Sequence, residues 1–86
     1  MIITNEILDF KENMIDFNNR ITEVLPQVKY ADDIGSVIEY SSDAGVLFAV
    51  EIMDTDGEYL FDFGDVTFVV NEEAFKMIKE RMTVNN

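Results

Sequence analysis

The stretch from Met53 to Asp65, MDTDGEYLFDFGD, holds the residues of this chain whose types and spacing are suited to chemistry. It places five carboxylates, two glycines and three aromatic side chains within thirteen residues. Such a density of carboxylates is typical of a calcium loop or of an acidic active site. It also fits a hairpin whose charges serve another purpose, such as meeting a cationic surface.

The spacing of the acidic residues argues against a calcium loop. An EF-hand loop needs oxygen ligands at positions 1, 3 and 5, glycine at position 6 and glutamate at position 12. With Gly57 at position 6, Ile52 falls at position 1 and Phe63 at position 12. Neither side chain carries an oxygen, so we predict no metal site.

The residue types also argue against catalysis. The chain has no histidine and no cysteine, so its serines at 36, 41 and 42 lack the usual base partner. Paired carboxylates alone suit a glycosidase, but that chemistry needs one carboxyl in an apolar pocket beside a cleft. The four glycines lie in predicted turns and form no phosphate loop. We therefore predict a protein that is not an enzyme and takes no cofactor.

The dipeptide Asp56-Gly57 predicts a β-hairpin. It lies between two runs of alternating apolar residues, VLFAVEIMD and EYLFDF. A two-residue type I′ turn needs positive φ at both central positions, which Asp-Gly adopts readily. Tyr59, Phe61 and Phe63 then share one face of the second strand, and Glu58, Leu60 and Asp62 share the other.

The charge is strongly negative and unevenly distributed. The 86 residues contain 18 Asp and Glu against 6 Lys and Arg, giving a net charge of −12. Residues 31–75 contain twelve Asp and Glu and no Lys or Arg. Direct binding to nucleic acid or to an anionic membrane surface is disfavoured, because nothing in this segment neutralises phosphate. A hydrophobic content of 48% nevertheless predicts a real core.

Apolar spacing predicts a helix over about residues 5–24. Ile7, Phe10, Met14, Phe17, Ile21 and Val24 follow one another at alternating spacings of three and four. Such a stripe is typical of an amphipathic helix, and Pro26 is expected to end it. A second helix of about ten residues is predicted after Asn71, a suitable N-cap.

Strands fill the segment between the two helices. Alternation predicts them in GSVIEYSS, VLFAVEIMD and EYLFDF, with further candidates at residues 28–30 and in VTFVV. The predicted fold is one α+β domain over residues 1–86, with an N-terminal helix, a three- to four-stranded antiparallel sheet and a C-terminal helix in two layers. Two helices do not easily cover both sheet faces, so the face carrying Glu39, Glu51, Glu58 and Asp62 is expected to be partly solvated.

The charge pattern predicts a surface that binds a cationic partner. Same-face carboxylates two residues apart on a strand stand about 6.5–7 Å apart, close to the separation of successive phosphates along a nucleic-acid strand. The predicted contact residues are Glu51, Asp54, Asp56, Glu58, Asp62, Asp32, Asp33 and Glu39. The competing interpretation is that the acidity serves only solubility.

The architecture and charge resemble those of the small acidic phage anti-CRISPR proteins. The segments that carry the likeness are the helix after MIITNEI, the hairpin VEIMDTDGEYLF and the helix NEEAFKMIKERM. The resemblance implies an inhibitor that occupies the nucleic-acid groove of a CRISPR nuclease or a similar cationic protein. It also implies a place in the cytoplasm of a bacterial host.

Two other interpretations stay open. The chain could be a structural or adaptor module, or a homodimer through a sheet edge or the helix stripe. The segment DFGDVTFVVNEEAF is also similar to the late part of the HesB/IscA-type iron–sulfur assembly domains. That family uses cysteines, which this chain lacks. No apolar run approaches the roughly 18 residues that span a bilayer, and the N-terminus lacks the basic region of a signal peptide.

Overall fold

The computed structural model describes residues 6–53 and 57–84, and these form one mixed sheet with two α-helices. The strands lie in the order β1-β6-β5-β4-β3-β2. Every neighbouring pair is antiparallel except β1 with β6, which is parallel. The elements are β1 (Glu6–Asp9), α1 (Met14–Val24), β2 (Tyr30–Asp33), β3 (Val37–Ser42), β4 (Gly45–Ile52), β5 (Glu58–Asp62), β6 (Val66–Asn71) and α2 (Glu72–Val84).

The predicted three- to four-stranded antiparallel sheet between two terminal helices is wrong. Within the described residues the sheet has six strands and is mixed, and a strand rather than a helix comes first. The strands expected in GSVIEYSS, VLFAVEIMD and EYLFDF are present as β3, β4 and β5, and VTFVV forms β6. The two strands that alter the fold are the short edges β1 and β2.

The N-terminal helix begins about nine residues later than its apolar spacing predicts, at Met14. The Asp9 side chain accepts a hydrogen bond from the backbone N–H of Lys11 at 2.8 Å. The Asp9 carbonyl accepts one from the side-chain amide of Asn13 at 2.9 Å. This local turn competes with a helix, while the open edge of β6 gives residues 6–9 a strand partner. Pro26 does end the helix, within a 3₁₀ turn at Leu25–Gln27.

Both helices pack on the same face of the sheet. The α1 residues Phe17, Ile21 and Val24 and the α2 residues Ala74, Phe75 and Ile78 are buried there against β3 to β6. The predicted cap of α2 is confirmed, because the backbone N–H of Ala74 donates to the Asn71 side chain at 2.9 Å.

Phe61 lies at the centre of this core and is fully buried. Its ring is 5.3 Å from that of Phe17 on α1 and 6.2 Å from that of Phe75 on α2, both at steep interplanar angles. The ring of Phe48 on β4 stacks at 6.0 Å. Edge-to-face aromatic pairs are favourable beyond their burial, so Phe61 contributes to holding both helices on the sheet.

The β4–β5 hairpin is present, with a different register from that of an Asp56-Gly57 turn. Ile52 lies opposite Tyr59, and the backbone N–H of Met53 donates to the Glu58 carbonyl at 3.3 Å. A two-residue turn at Asp56-Gly57 would instead place Met53 opposite Leu60. The observed pairing fits a longer connection, which Gly57 closes with a φ of +75°. Asp56 lies outside the described residues.

Replacing Phe61 by alanine tests the central position of this ring. We expect Phe61→Ala to lower the free energy of unfolding by about 3–5 kcal/mol, because it removes contacts to both helices at a fully buried site. Urea unfolding followed by circular dichroism measures the change. The control Ile15→Ala alters a side chain that is 77% exposed and should change stability by about 0.5 kcal/mol or less. Equal effects of the two variants would contradict the assignment.

Candidate functional site

The second face of the sheet has no helix over it in the part of the chain that the structure describes. Phe48, Val50 and Phe61 point into the helix-covered core, and side chains alternate along a strand. Ala49, Glu51 and their cross-strand neighbours therefore point the other way. We call this surface the helix-free face and define it by Asp32, Val37, Glu39, Ala49, Glu51, Glu58, Leu60, Asp62 and Val69.

Five of the eight predicted contact residues lie on the helix-free face, and the register brings them together. These five are Asp32, Glu39, Glu51, Glu58 and Asp62. Of the other three, Asp33 pairs with Ile38 and so points towards the opposite side of the edge strand. Its carboxylate accepts a hydrogen bond from the backbone N–H of Gly35 at 3.1 Å. Asp54 and Asp56 lie outside the described residues.

Glu51 is the middle of the five. It pairs with Val37 on one side and with Leu60 on the other, so Glu39, Glu58 and Asp62 are its diagonal neighbours across the strands. Diagonal positions of an antiparallel pair stand about 7–8 Å apart. Asp32 lies directly opposite Glu39, a placement of like charges that destabilises a sheet.

The carboxylates of this face surround apolar positions. Leu60 has Glu51 opposite it on β4, and Glu58 and Asp62 on either side of it along β5. Ala49 lies between Glu39 on β3 and Asp62 on β5, with Glu51 two residues further along its own strand. Both Ala49 and Leu60 are half-buried although no helix covers them. The surface thus combines negative charge with partly exposed apolar area.

The basic side chains lie mostly elsewhere. Arg20 donates two hydrogen bonds to the Asp65 carboxylate at 2.8 and 2.7 Å and lies 5.4 Å from the centre of the Phe63 ring. The Lys29 ammonium contacts Asp43 at 2.6 Å. Among the side chains described for residues 6–53 and 57–84, no Lys or Arg forms an ion pair with Glu39, Glu51 or Glu58. Lys11 borders the face, in a small cleft that it lines with Glu58.

The Asp65 carboxylate is the one most altered by a partner. The hydrogen bonds from Arg20 lower the pKa of Asp65 from 3.8 to about 2. The hydrogen bond from Lys29, helped by the Tyr30 hydroxyl at 2.8 Å, likewise lowers the pKa of Asp43. Both carboxylates lie in exposed turns outside the helix-free face, so these pairs anchor the loops around the sheet.

Grooves lined by described residues flank the helices. One lies between α1 and α2, has a volume of about 200 Å³ and is lined mainly by Phe10, Met14, Phe17, Met77 and Ile78. Its single acidic lining residue is Glu73, so it offers no second carboxyl for acid–base chemistry. Another groove surrounds Arg20 with Asp16, Glu23 and Asp65. Within the described ranges, no three carboxylates converge closely enough to hold a metal ion.

Comparison with known proteins adds no relative to this picture. No protein-family model matches the chain, and no curated protein or solved structure is significantly similar to it. In the residues that the structure describes, no helix has both the length and the apolar character needed to cross a membrane.

Sequence reasoning missed how the carboxylates of different strands surround the apolar members of the face. Alternation along each strand already placed Leu60 with Glu58 and Asp62, and Ala49 with Glu51. Alternation shows which residues of one strand share a face, but it does not show which residues of adjacent strands lie beside them. The neighbours across strands depend on register, which the residues of the β4–β5 turn did not determine. The framing of Leu60 and Ala49 by carboxylates therefore emerges only in the folded structure.

We expect the Arg20–Asp65 pair to stabilise the fold in a pH-dependent way. Because the pKa of Asp65 is lowered from 3.8 to about 2, its contribution to stability is present above about pH 4 and is lost as the pH falls to about 2. Carboxyl ¹³C NMR should show Asp65 titrating near pH 2. In Arg20→Gln it should titrate near its ordinary value, whereas an unchanged titration would contradict the pairing.

Removing charge from the helix-free face should stabilise the isolated protein. We expect Glu39→Gln/Glu51→Gln/Asp62→Asn to raise the free energy of unfolding by about 1 kcal/mol at low salt, because it relieves repulsion between neighbours. The gain should shrink at 0.5 M NaCl as screening increases.

The matched control for that variant is Glu12→Gln/Glu23→Gln/Glu80→Gln, which removes three exposed carboxylates outside the sheet. Urea unfolding at both salt concentrations compares the two triple variants. Equal gains would mean that the repulsion belongs to the whole molecule and is not concentrated on the face.

Proposed function

We propose that this protein is a small acidic inhibitor that binds protein and is not an enzyme. Its helix-free face occupies the cationic nucleic-acid-binding groove of a DNA-handling protein, such as a CRISPR nuclease or a restriction enzyme. The observation that carries this proposal is the gathering of five carboxylates on the one sheet face that no described helix covers. Action on such a nuclease places the protein in the cytoplasm of a bacterial host.

The spacing of the charges supports mimicry of nucleic acid. Along β5, Glu58 and Asp62 are four residues apart with Leu60 between them, so they stand about 13–14 Å apart, twice the spacing of successive same-face residues. The diagonal neighbours of Glu51 stand about 7–8 Å from it, close to the separation of successive phosphates. A groove lined by Arg and Lys to bind successive phosphates would therefore meet charges at suitable intervals on this sheet.

The fit of the face to a cationic partner is also supported by the ion pairs among the described side chains. Those of Arg20, Lys29 and Lys76 use Asp65, Asp43 and Glu72, and not Glu39, Glu51 or Glu58. A partner's guanidinium and ammonium groups would relieve the repulsion between the carboxylates of the face. Such complementarity speeds association and favours one class of partner.

Dimerisation through a sheet edge is the weaker alternative. Within the described residues, the edge strands β1 and β2 have four residues each, and β2 ends in the exposed pair Asp32-Asp33. Short, charged edges are the usual means by which proteins prevent strand pairing between copies. Two copies of a chain with a net charge of −12 also repel each other.

Competition with DNA tests the proposed function. We expect the protein to displace labelled target DNA from a guide-loaded CRISPR nuclease, or from a restriction enzyme, more strongly at 50 mM than at 300 mM NaCl, because salt screens the charge contacts. Fluorescence anisotropy measures the displacement. Neutralising the face with Glu39→Gln/Glu51→Gln/Asp62→Asn should raise the concentration needed by at least about tenfold.

The proposal requires that loss of inhibition depends on which carboxylates are neutralised and not on how many. The variant Glu12→Gln/Glu23→Gln/Glu80→Gln removes the same number of charges and should inhibit nearly as well as the parent protein. Two results would contradict the proposal: displacement that does not change with salt, or equal loss in the two triple variants. No displacement in a panel of such enzymes would favour the adaptor interpretation.

A further inference from the structure

The apolar positions of the helix-free face indicate which cation it prefers, an inference that rests on the proposed function. Leu60 and Ala49 each form an apolar floor bordered by three carboxylates. Those around Leu60 are Glu51, Glu58 and Asp62, and those around Ala49 are Glu39, Glu51 and Asp62. Glu51 and Asp62 are shared, so the two floors adjoin each other.

The floors are apolar surface that the sheet leaves open. Leu60 and Ala49 are half-buried, and the packed core lies on the opposite face. Val69 lies beside Leu60 on β6, and extends the apolar area in that direction. A cation bound at the centre of either floor has side-chain carbon beneath it and carboxylate oxygen around it.

Guanidinium and ammonium groups would bind such a site differently, because they differ in shape and hydration. The guanidinium of arginine is flat and weakly hydrated on its two faces, and its five N–H donors lie in the plane of the group. It can rest one face on Leu60 while its edge donates to the surrounding carboxylates, sometimes two bonds to one carboxylate. The lysine ammonium is compact and strongly hydrated, and contact with an apolar floor removes water without replacing it.

We propose that the helix-free face selects arginine over lysine, and that its partner presents arginine side chains to the floors formed by Leu60 and Ala49. A surface of carboxylates alone attracts either cation according to charge. The floors add a preference that depends on the shape and hydration of the cation. The partner is therefore an arginine-lined nucleic-acid-binding surface rather than a lysine-rich one.

Two capped peptides of equal charge, nona-arginine and nona-lysine, test this preference without an identified partner. Isothermal titration calorimetry at 150 mM NaCl should show about tenfold tighter binding of the arginine peptide. In ¹H–¹⁵N NMR spectra its largest shift changes should fall on β4 and β5 around Ala49 and Leu60. Equal affinities for the two peptides would overturn the inference, as would shift changes centred on the helices.

A matched pair of substitutions separates the floor from a general preference of anions for arginine. Leu60→Val and Leu60→Thr introduce side chains of similar shape and β propensity, but only threonine places a hydroxyl on the floor. We expect the valine variant to keep most of the preference and the threonine variant to lose most of it, with lysine binding unchanged in both. Val46→Thr, at an apolar residue that is 58% exposed outside this face, is the control and should change neither affinity.

The outcomes distinguish this inference from the proposed function. If Glu39→Gln/Glu51→Gln/Asp62→Asn weakens both peptides while Leu60→Thr leaves the preference intact, the acidic face binds cations and only the role of the floors is wrong. If the triple variant weakens neither peptide, the face is not the binding surface and the proposed function falls with the inference. Urea unfolding of each variant confirms that it is folded under the titration conditions.

Discussion

The packing of Phe61 against both helices is the contact on which the rest of the structure depends. Phe17 of α1 and Phe75 of α2 reach its ring from two sides, so the helices share one face of the sheet. The chain has no further helix among its described residues with which to cover the other face. Because both helices pack on one face of the sheet, Glu39, Glu51 and Asp62 on the other face are presented to solvent on a broad surface.

A sheet face without a covering helix favours association between copies unless charged side chains oppose it. Exposed apolar area on a six-stranded sheet favours association between copies, and the carboxylates around Leu60 and Ala49 oppose it by repulsion. The same arrangement favours a partner of opposite charge, because that partner removes the repulsion and covers the apolar floors together. Under the proposed function, one surface would both keep free copies apart and recognise a cationic groove.

The sequence predicts the centre of this fold better than its edges. Alternation in residues 46–53 and 58–63 reports which side chains share a face, because β4 and β5 lie inside the sheet, with one face against the helices and the other free of them. The edge strand β1 escaped prediction because Ile7, Phe10 and Met14 keep helical spacing across a strand and a turn. In the structure, this apolar stripe is interrupted by the turn at Asp9 and by the pairing of residues 6–9 with the open edge of β6. Likewise, the site carboxylates were identifiable by type, whereas their convergence around Leu60 depends on a register set by the whole sheet.

The helix-free face is proposed as the surface that meets a cationic partner. Carbodiimide labelling of carboxylates, read by mass spectrometry with and without a bound nuclease, tests it most directly. Labelling of Glu39, Glu51, Glu58 and Asp62 is expected to fall sharply in the complex, while labelling of Glu12 and Glu23 should not change. Protection of Glu12 and Glu23, with Glu51 and Asp62 still fully labelled, would place the interface on the helical side and contradict the account.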